Sequence, residues 1–228
     1  MGIRDTLVNG AINTLFRIFC RIDDRELSKI PMTGAALLVS NHTTNWEAPI
    51  YYLRLRPRNT IGLGKKELWK FAPTRVIMNT WKAIPLQRGG MDRQAMDACM
   101  TALKEDNILC MAPEGRRSPT GCLIRAHAGA TFFSTQLHVP IYPMVHWGLT
   151  EMGHYMAQLK RTPVHIRVGR PFTMSKKDQS RITSEDRQKM ADEMMYQLAI
   201  LLPPEFRGYY GDLSKMTTEH LTFLEEPK

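Results

Sequence analysis

The chain has 228 residues, of which 43% are hydrophobic and 23% charged, proportions that are typical of a folded globular protein and exclude bulk disorder. Its 31 basic and 22 acidic side chains give a formal net charge of +9, which favours anionic partners: nucleic acid, acidic phospholipid headgroups or phosphorylated substrates. The four cysteines form no Cys-x-x-Cys pair, so the sequence favours reduced thiols in a cytosolic setting over a zinc or thioredoxin-like site.

The first thirty residues predict an amphipathic helix over residues 5–22. Apolar side chains recur near helical spacing, with polar ones between them; the apolar members are Leu7, Val8, Ile12, Leu15, Phe16, Ile18, Phe19 and Ile22, and the polar ones are Asn9, Asn13, Arg17 and Arg21. The apolar stripe has two interpretations: it packs on the core of the protein, or it lies in a membrane interface with the arginines toward the headgroups. A spanning helix is not expected, because no stretch reaches the roughly 18 apolar residues that a bilayer requires.

From residue 35 onward, short apolar runs alternate with helical patterns. The runs predict strands over residues 35–39, 60–64, 82–86, 107–111, 139–145 and 164–168, of which the third is weakened by its proline. Helices are predicted over residues 92–104 and after Thr183, where Thr183 and Asp186 match a capping box and the following methionine stripe indicates core. This alternation predicts an α/β fold, a mostly parallel twisted sheet flanked by helices, and the tail after Pro204 is expected to be irregular.

Polar segments follow three of the predicted strands directly, at residues 41–47, 87–88 and 113–118. Because the carboxyl ends of parallel strands meet at one edge of a sheet, we expect these segments to lie together there. Open α/β sheets bind their ligands along that edge. Segments about 70 residues apart therefore have the placement to build one site.

His42 and Glu47 are the candidates for acid–base chemistry. On one straight helix a five-residue offset, about 500°, would separate their side chains, so they meet only if His42 lies on a loop and Glu47 on the first turn of a helix, which Asn45 is placed to cap. The carboxylate would then hold the imidazole in one tautomer and leave the other nitrogen to act as a base. A thioester donor suits this pair, since its thiolate leaves readily and the acceptor alcohol attacks without a protein nucleophile. The alternative is that His42 only caps or packs.

A second candidate group combines Arg116 and Arg117 with Glu114 and Gly115, and Arg88 is expected near the same edge. Guanidinium groups match phosphate oxygens in a bidentate way, and a glycine lets the backbone come close or adopt a positive φ. A solvated basic loop is the alternative. No metal site is predicted, because the histidines at positions 138, 146 and 154 do not form the i, i+4 pair of a helical zinc site.

Taken together, these segments resemble the glycerolipid acyltransferases typified by 1-acyl-glycerol-3-phosphate acyltransferase. The family's His-x4-Asp, arginine, Pro-Glu-Gly-Thr-Arg-Ser and Val-Pro-Ile-x-Pro blocks are matched in order by residues 42–47, 84–88, 113–118 and 139–143. Residues 64–68 resemble its lysine-bearing segment, and residues 168–171 and 203–208 resemble its ending. The resemblance covers about residues 25–212, and four ordered blocks are far more specific than one.

The resemblance implies transfer of a fatty acyl group from acyl-coenzyme A or acyl-carrier protein to the free glycerol hydroxyl of lysophosphatidate or a related lysophospholipid, in phospholipid biosynthesis. His42 would be the general base and Glu47 its partner. The residues expected to bind substrate are Lys65, Lys66, Arg88, Glu114, Gly115, Arg116 and Arg117. The acyl carrier is a co-substrate, and no metal or redox cofactor is implied.

The resemblance also implies a location and a division of the chain. Residues 1–30 would form a membrane-interface helical region, residues 31–212 the acyltransferase domain, and residues 213–228 a tail. The protein would act at the cytoplasmic face of a membrane as a peripheral or monotopic protein.

Two positions depart from the family pattern. Glu47 replaces an aspartate, which keeps the charge on a longer arm, and Arg116 replaces a threonine, which adds positive charge near the expected phosphate site. The acceptor headgroup therefore stays open, and the alternatives are another polar acceptor or a catalytically inactive lipid-binding relative. Nucleic acid is not an expected partner, because the charge comes without zinc-finger spacing, an aromatic-glycine motif or a dense Lys/Arg run.

Overall fold

The computed structural model describes residues 2–87, 92–176 and 181–225. Its α-helices are α1 (Ile3–Phe19), α2 (Glu47–Arg54), α3 (Ala72–Thr80), α4 (Arg93–Lys104), α5 (Gly129–Leu137), α6 (Met152–Ala157) and α7 (Ser184–Ala199). Its strands are β1 (Cys20–Asp23), β2 (Ala36–Ser40), β3 (Thr60–Lys65), β4 (Ile84–Leu86), β5 (Ile108–Met111), β6 (Ile141–Trp147), β7 (Thr162–Val168), β8 (Phe172–Met174) and β9 (Leu221–Phe223).

The strands of the described residues form one sheet, whose main path runs β1-β7-β6-β2-β5-β3-β4. The five strands from β6 to β4 along this path are parallel, and β2 lies between β5 and β6 with Leu38 opposite Cys110 on one side and Tyr142 on the other. Strand β7 is antiparallel to β6, and β8 and β9 add an antiparallel extension. The predicted α/β fold with a mostly parallel sheet flanked by helices is confirmed.

Alternation along the central strands sends side chains to two cores, one on each face of the sheet. Leu38, Ile108 and Met144 pack with α1 and α2 on one face. The other face packs on α4, α5 and α7, whose predicted methionine stripe is fully buried at Met190 and Met194. Helices therefore cover both faces of the sheet.

The ends of the chain differ from the sequence prediction. Helix α1 stops at Phe19, three residues earlier than expected, because residues 20–23 form β1 and pair with β7 from Cys20↔Thr162 onward. The tail expected to be irregular contains β9, which pairs with β8 at Thr173↔Thr222. Both strands are too short for a period of two to show in the sequence.

Helix α7 holds this tail against the body of the protein. The predicted capping box is present, since the Thr183 hydroxyl accepts the N–H of Asp186 at 3.1 Å and the Asp186 carboxylate accepts the N–H of Thr183 at 2.8 Å. Farther along α7, the buried Glu193 carboxylate accepts the Thr217 hydroxyl and the backbone N–H groups of Glu219 and His220. Glu193, Glu219 and His220 have ligand-type atoms within 4.8 Å of one another, but these bonds give Glu193 a structural role.

Candidate active site

His42 lies where the chain leaves the carboxyl end of β2, and Glu47 begins α2 five residues later. The Nδ1–H of His42 donates to Oε1 of Glu47, so the predicted loop-to-helix arrangement brings these two side chains together. Their exposure differs, since 29% of the His42 side chain and 7% of the Glu47 side chain are open to solvent. The carboxylate is thus a buried support for an imidazole that substrate can reach.

The cap of α2 differs from the expectation. Trp46, not Asn45, occupies the N-cap position, and its side chain makes no capping bond. Thr44 provides the polar link instead: its backbone N–H and its hydroxyl donate to Oε2 of Glu47 at 3.0 and 2.6 Å. Glu47 reaches back to Thr44 because it is the first helical residue, where the helix dipole also favours a negative charge.

The Glu47 carboxylate stays ionised in this environment. Burial alone would raise its pKa, but the hydrogen bond from His42, the electrostatic interactions with His146 and His42, and the hydrogen bond from the Thr44 hydroxyl together lower the pKa below its ordinary value. Both oxygens are engaged, Oε1 by His42 and Oε2 by Thr44. A fixed negative charge therefore faces Nδ1 of His42 and would stabilise that ring when it takes up a proton.

Glu114 joins the second segment to the first. It follows β5, the neighbour of β2, and its two oxygens accept the backbone N–H of His42 at 2.6 Å and of Ile124 at 3.1 Å. The backbone N–H of Ser118 in turn donates to the carbonyl of His42 at 2.7 Å. Burial raises the pKa of Glu114 to about 7, against the effect of the two N–H donors. The parallel-sheet argument is thereby confirmed for residues 42 and 114, which lie side by side.

Gly115 has the positive φ that the sequence allowed, at 65°. A Cβ built on it would come within 3.0 Å of Cδ2 of His127, whose own backbone N–H donates to the carbonyl of Pro113 at 2.7 Å. The imidazole of His127 therefore lies directly over the glycine, and a larger residue at position 115 would meet both backbone strain and this ring.

A cavity of about 320 Å³ opens next to this loop. Its lining residues are Glu114, Arg116, Ile124, Arg125, Ala126, His127 and Gln188. Arg116, Arg125 and His127 are exposed, and no ion pair neutralises them within the described part of the chain. A cationic cavity whose buried carboxylate touches the backbone of His42 is suited to a small anion attached to the reacting group.

The other predicted substrate residues are more scattered. Lys65 ends β3, which is separated from β2 by β5, and Lys66 donates to the side chain of Gln87 at 3.2 Å. Arg117 is exposed but does not line the 320 Å³ cavity. Arg88 lies outside the described residues. The roles of these four residues stay predictions.

A larger cavity of about 420 Å³ is also rich in arginine but lies at the opposite edge of the sheet, where α2 ends. Its guanidinium groups serve the fold: Arg25 bonds Asp23 at 2.8 Å, Arg54 bonds Asp24 at 3.3 Å, and Arg58 donates to the carbonyl groups of Gly34 and Asp106. The carboxyl edge, where His42, Glu47 and Glu114 meet, is therefore the candidate site.

Several residues of the site were missed in the sequence. Thr44 bonds Glu47, His146 reaches the His42–Glu47 pair from β6 with Thr43 and Tyr51 on its two ring nitrogens, and Arg125 and His127 line the cavity. His146 follows the Val-Pro-Ile block by three residues, so the strand order β6-β2-β5 would have pointed to it. Sequence spacing alone does not give strand order.

Comparison with known proteins gives relatives that are similar in sequence. The chain is similar to 1-acyl-sn-glycerol-3-phosphate acyltransferases of Limnanthes alba and Limnanthes douglasii, with 28% and 27% identity over 165 residues, which are 71% of this chain and 57% of each relative. The chain thus spans little more than half the length of these relatives.

Fold comparison gives a second likeness, to the crystal structure of the 1-acyl-sn-glycerophosphate acyltransferase PlsC of Thermotoga maritima. The TM-score is 0.61, with 83% of this chain and 75% of that chain covered at 19% identity, which shows a shared fold. The Acyltransferase family model matches residues 21–147, more than half of the chain, and includes His42, Glu47 and Glu114. The chain belongs to the Acyltransferase family.

Proposed function

We propose that this protein transfers a fatty acyl group from an acyl thioester, either acyl-coenzyme A or acyl-carrier protein, to the free glycerol hydroxyl of lysophosphatidate or a related lysophospholipid. The observation that carries the proposal is the His42–Glu47 pair, a partly exposed imidazole on a buried carboxylate, beside a cationic cavity. Family membership supports the reaction class, and the names of the Limnanthes relatives support the acceptor.

In the reaction, His42 acts as general base. Because Glu47 engages Nδ1, Nε2 is the nitrogen left to take the proton from the acceptor hydroxyl. The hydroxyl oxygen attacks the thioester carbonyl, the tetrahedral intermediate collapses with cleavage of the C–S bond, and the thiolate leaves and takes the proton from His42. The Glu47 carboxylate stabilises the imidazolium between these two proton transfers.

The acceptor's phosphate would occupy the 320 Å³ cavity, with the guanidinium groups of Arg116 and Arg125 and the imidazole of His127 as its ligands. Glu114 lines this cavity, but its oxygens already accept N–H groups of His42 and Ile124. Through these two bonds Glu114 keeps the cavity next to the loop that carries His42. The phosphate of the acceptor can then lie in the cavity while the free hydroxyl of the same glycerol unit lies at His42.

Helix α1 supports a location at a membrane surface. Ile3, Leu7, Leu15 and Ile18 are each at least half exposed and fall within about 120° of the helix circumference, whereas Phe16 on the other side is buried. The helix therefore satisfies both sequence interpretations, with one apolar side on the core and another toward solvent. None of the helices of residues 2–87, 92–176 and 181–225 is long and apolar enough to cross a bilayer. An interfacial helix, with the protein peripheral or monotopic on the cytoplasmic face, fits these features.

Thiol release from palmitoyl-coenzyme A, with and without lysophosphatidate, tests the function in wild type and in His42→Ala. We expect release that needs the acceptor and falls by roughly 10²–10⁴ in the variant, at an unchanged melting temperature. His154→Ala, an exposed histidine of α6, is the matched control. Further assays use acyl-carrier protein as the donor and other lysophospholipids as the acceptor. If wild type is inactive in every assay, the protein is better described as an inactive lipid-binding relative. Full turnover in His42→Ala would overturn the mechanism.

A further inference from the structure

A second histidine, His146, lies behind the His42–Glu47 pair and takes no part in the proposed proton transfers. It belongs to β6, the strand beside β2, and it is only 1% exposed. Its Nε2 lies 2.8 Å from the hydroxyl oxygen of Thr43 and 4.0 Å from Oε2 of Glu47. Glu47 therefore stands between two imidazoles, with His42 on the solvent side and His146 on the inside.

The backbone of His146 is tied to the same loop. The side-chain amide of Asn41 donates to the carbonyl of His146 at 2.9 Å and accepts its N–H at 3.0 Å. Asn41 is buried, so this amide replaces the strand-to-strand bonds that the chain gives up when it leaves β2. The residue on either side of His42 is thus bonded to His146, Asn41 through the backbone and Thr43 through the ring.

The far side of the ring is held by a hydroxyl pair. Nδ1 of His146 is hydrogen-bonded to the hydroxyl of Tyr51, which lies 2.8 Å from the hydroxyl of Ser40. Burial raises the pKa of Tyr51 well above its ordinary value, so the phenol keeps its proton. Burial also lowers the pKa of His146 to about 4, with Glu47 opposing this shift and His42 adding to it, so the ring is neutral near pH 7.

A neutral ring carries one N–H, and the neighbours decide which nitrogen has it. The Glu47 carboxylate near Nε2 favours an N–H there over a lone pair, since the N–H dipole points its positive end toward the charge. Nε2–H then donates to Thr43, and Nδ1 accepts the Tyr51 hydroxyl. Each polar atom of the ring has a suitable partner in this tautomer.

We propose that His146 is a positioning residue for acyl transfer: its Nε2–H holds Thr43 and faces Glu47, and so fixes the loop that carries His42. The inference rests on the proposed function, because it assigns His146 a role in the same reaction. His146 does not touch substrate. It acts by keeping the His42–Glu47 pair in one geometry and by leaving the Glu47 charge to His42.

Two substitutions separate this role from simple packing. The amide nitrogen of His146→Gln reaches the position of Nε2, whereas that of His146→Asn reaches only the position of Nδ1. We expect His146→Gln to keep kcat within about threefold and His146→Asn to lower it roughly tenfold or more, with the acceptor KM changed less than about twofold in both. Thr43→Val, which removes the hydroxyl bonded to His146, should lower kcat as His146→Asn does. Thr43→Ser, which keeps a hydroxyl, should keep kcat close to that of wild type. Tyr52→Phe, on the same helix as Tyr51 but bonded to the carbonyl of Thr80, is the matched control.

Equal kcat values in His146→Asn and His146→Gln, or losses that follow only the melting temperature, would overturn the proposal. A measurement without turnover covers the case in which the proposed function itself fails. In ¹H–¹⁵N histidine spectra of wild type, we expect His146 to show the neutral Nε2–H tautomer from pH 5.5 to 8. The ring ¹⁵N signals of His42 should shift in His146→Asn but not in His146→Gln. An Nδ1–H tautomer, or titration of His146 in this range, would contradict it.

Discussion

The indole ring of Trp46, the residue before Glu47, lies edge-on against the ring of Phe16 in α1, with centroids 6.2 Å apart. Phe16 is on the buried side of α1, and Trp46 is 46% exposed. One aromatic contact therefore joins the helix that we propose to lie on the membrane to the turn that carries Glu47.

The outward stripe of α1 should set the affinity for lipid. We expect Leu7→Ser combined with Leu15→Ser to lower binding to phosphatidylglycerol-containing vesicles at least about tenfold, because each leucine that enters the interface contributes about 1.5–3 kcal/mol when fully buried. The melting temperature should stay within a few degrees, since both side chains are exposed in the folded protein. Vesicle sedimentation measures the binding. Leu159→Ser, at a side chain that is 97% exposed elsewhere, is the control, and equal binding of all three proteins would rule out α1 as the lipid contact.

Both the length and the charge of the Glu47 side chain should affect kcat. Glu47→Gln removes the charge that stabilises the imidazolium, and we expect kcat to fall roughly 10²-fold or more. Glu47→Asp keeps the charge, but an arm shorter by one methylene cannot serve both His42 and Thr44, so a loss of roughly tenfold is expected. Steady-state kinetics, with the exposed Glu105→Gln as control, measure both. A fully active Glu47→Asp would show that the longer arm plays no part in positioning His42.

The cationic cavity should govern acceptor affinity. Each of Arg116→Ala and Arg125→Ala removes a charged donor to phosphate, worth about 1.5–3 kcal/mol, so we expect KM for lysophosphatidate to rise roughly ten- to a hundredfold with a smaller change in kcat. Raising the salt concentration should raise KM of wild type more than that of either variant. Lys104→Ala removes a positive charge at the end of α4 and serves as the control. A fall in kcat at constant KM would place the phosphate elsewhere.

Glu114 should make stability depend on pH. Its pKa is about 7 in the folded protein and near the ordinary 4.5 in the unfolded chain, so the folded state binds the proton more tightly between these values. The free energy of unfolding should therefore fall as pH rises from 4.5 to 7, by an amount of the order of 3 kcal/mol from this group.

Urea unfolding at pH 5 and pH 7.5 in wild type and Glu114→Gln isolates that contribution. The variant should be less stable than wild type at pH 5, and the gap should narrow at pH 7.5. A gap that stays constant across this range would mean that Glu114 does not titrate with folding.

The sequence was sufficient for the central part of the fold and for the prediction that His42 and Glu47 lie together. Strands β2, β5 and β6 are almost entirely apolar because both faces of the sheet are covered, and His42 and Glu114 lie two and three residues after the ends of β2 and β5. Strand order was not readable, since it depends on hydrogen bonds between segments about 100 residues apart, such as Leu38 with Tyr142. For this reason the sequence does not indicate that His146 lies next to Glu47.

The hydrogen-bond partners and cavity-lining residues of the site depend on the local direction of the backbone. Asn45 fits a capping position by residue type, but the bond is made by Thr44, because Glu47 turns back along the chain. Likewise, the motif places two arginines side by side, and only the backbone direction at Gly115 decides that Arg116 lines the cavity. Residue type indicates what a side chain offers, and the fold decides which partner it meets.

Strand β1 has a consequence for the order of events during synthesis. The residues that follow α1 gain their sheet partner only when β7 has been made, since Cys20 pairs with Thr162. Because chains emerge from the ribosome amino end first, β1 has no sheet partner until residues 162–165 are made, and the outward leucines of α1 are exposed throughout. If α1 binds lipid as proposed, it can do so before β1 joins the sheet. The protein would then complete its fold on a surface that α1 has already reached.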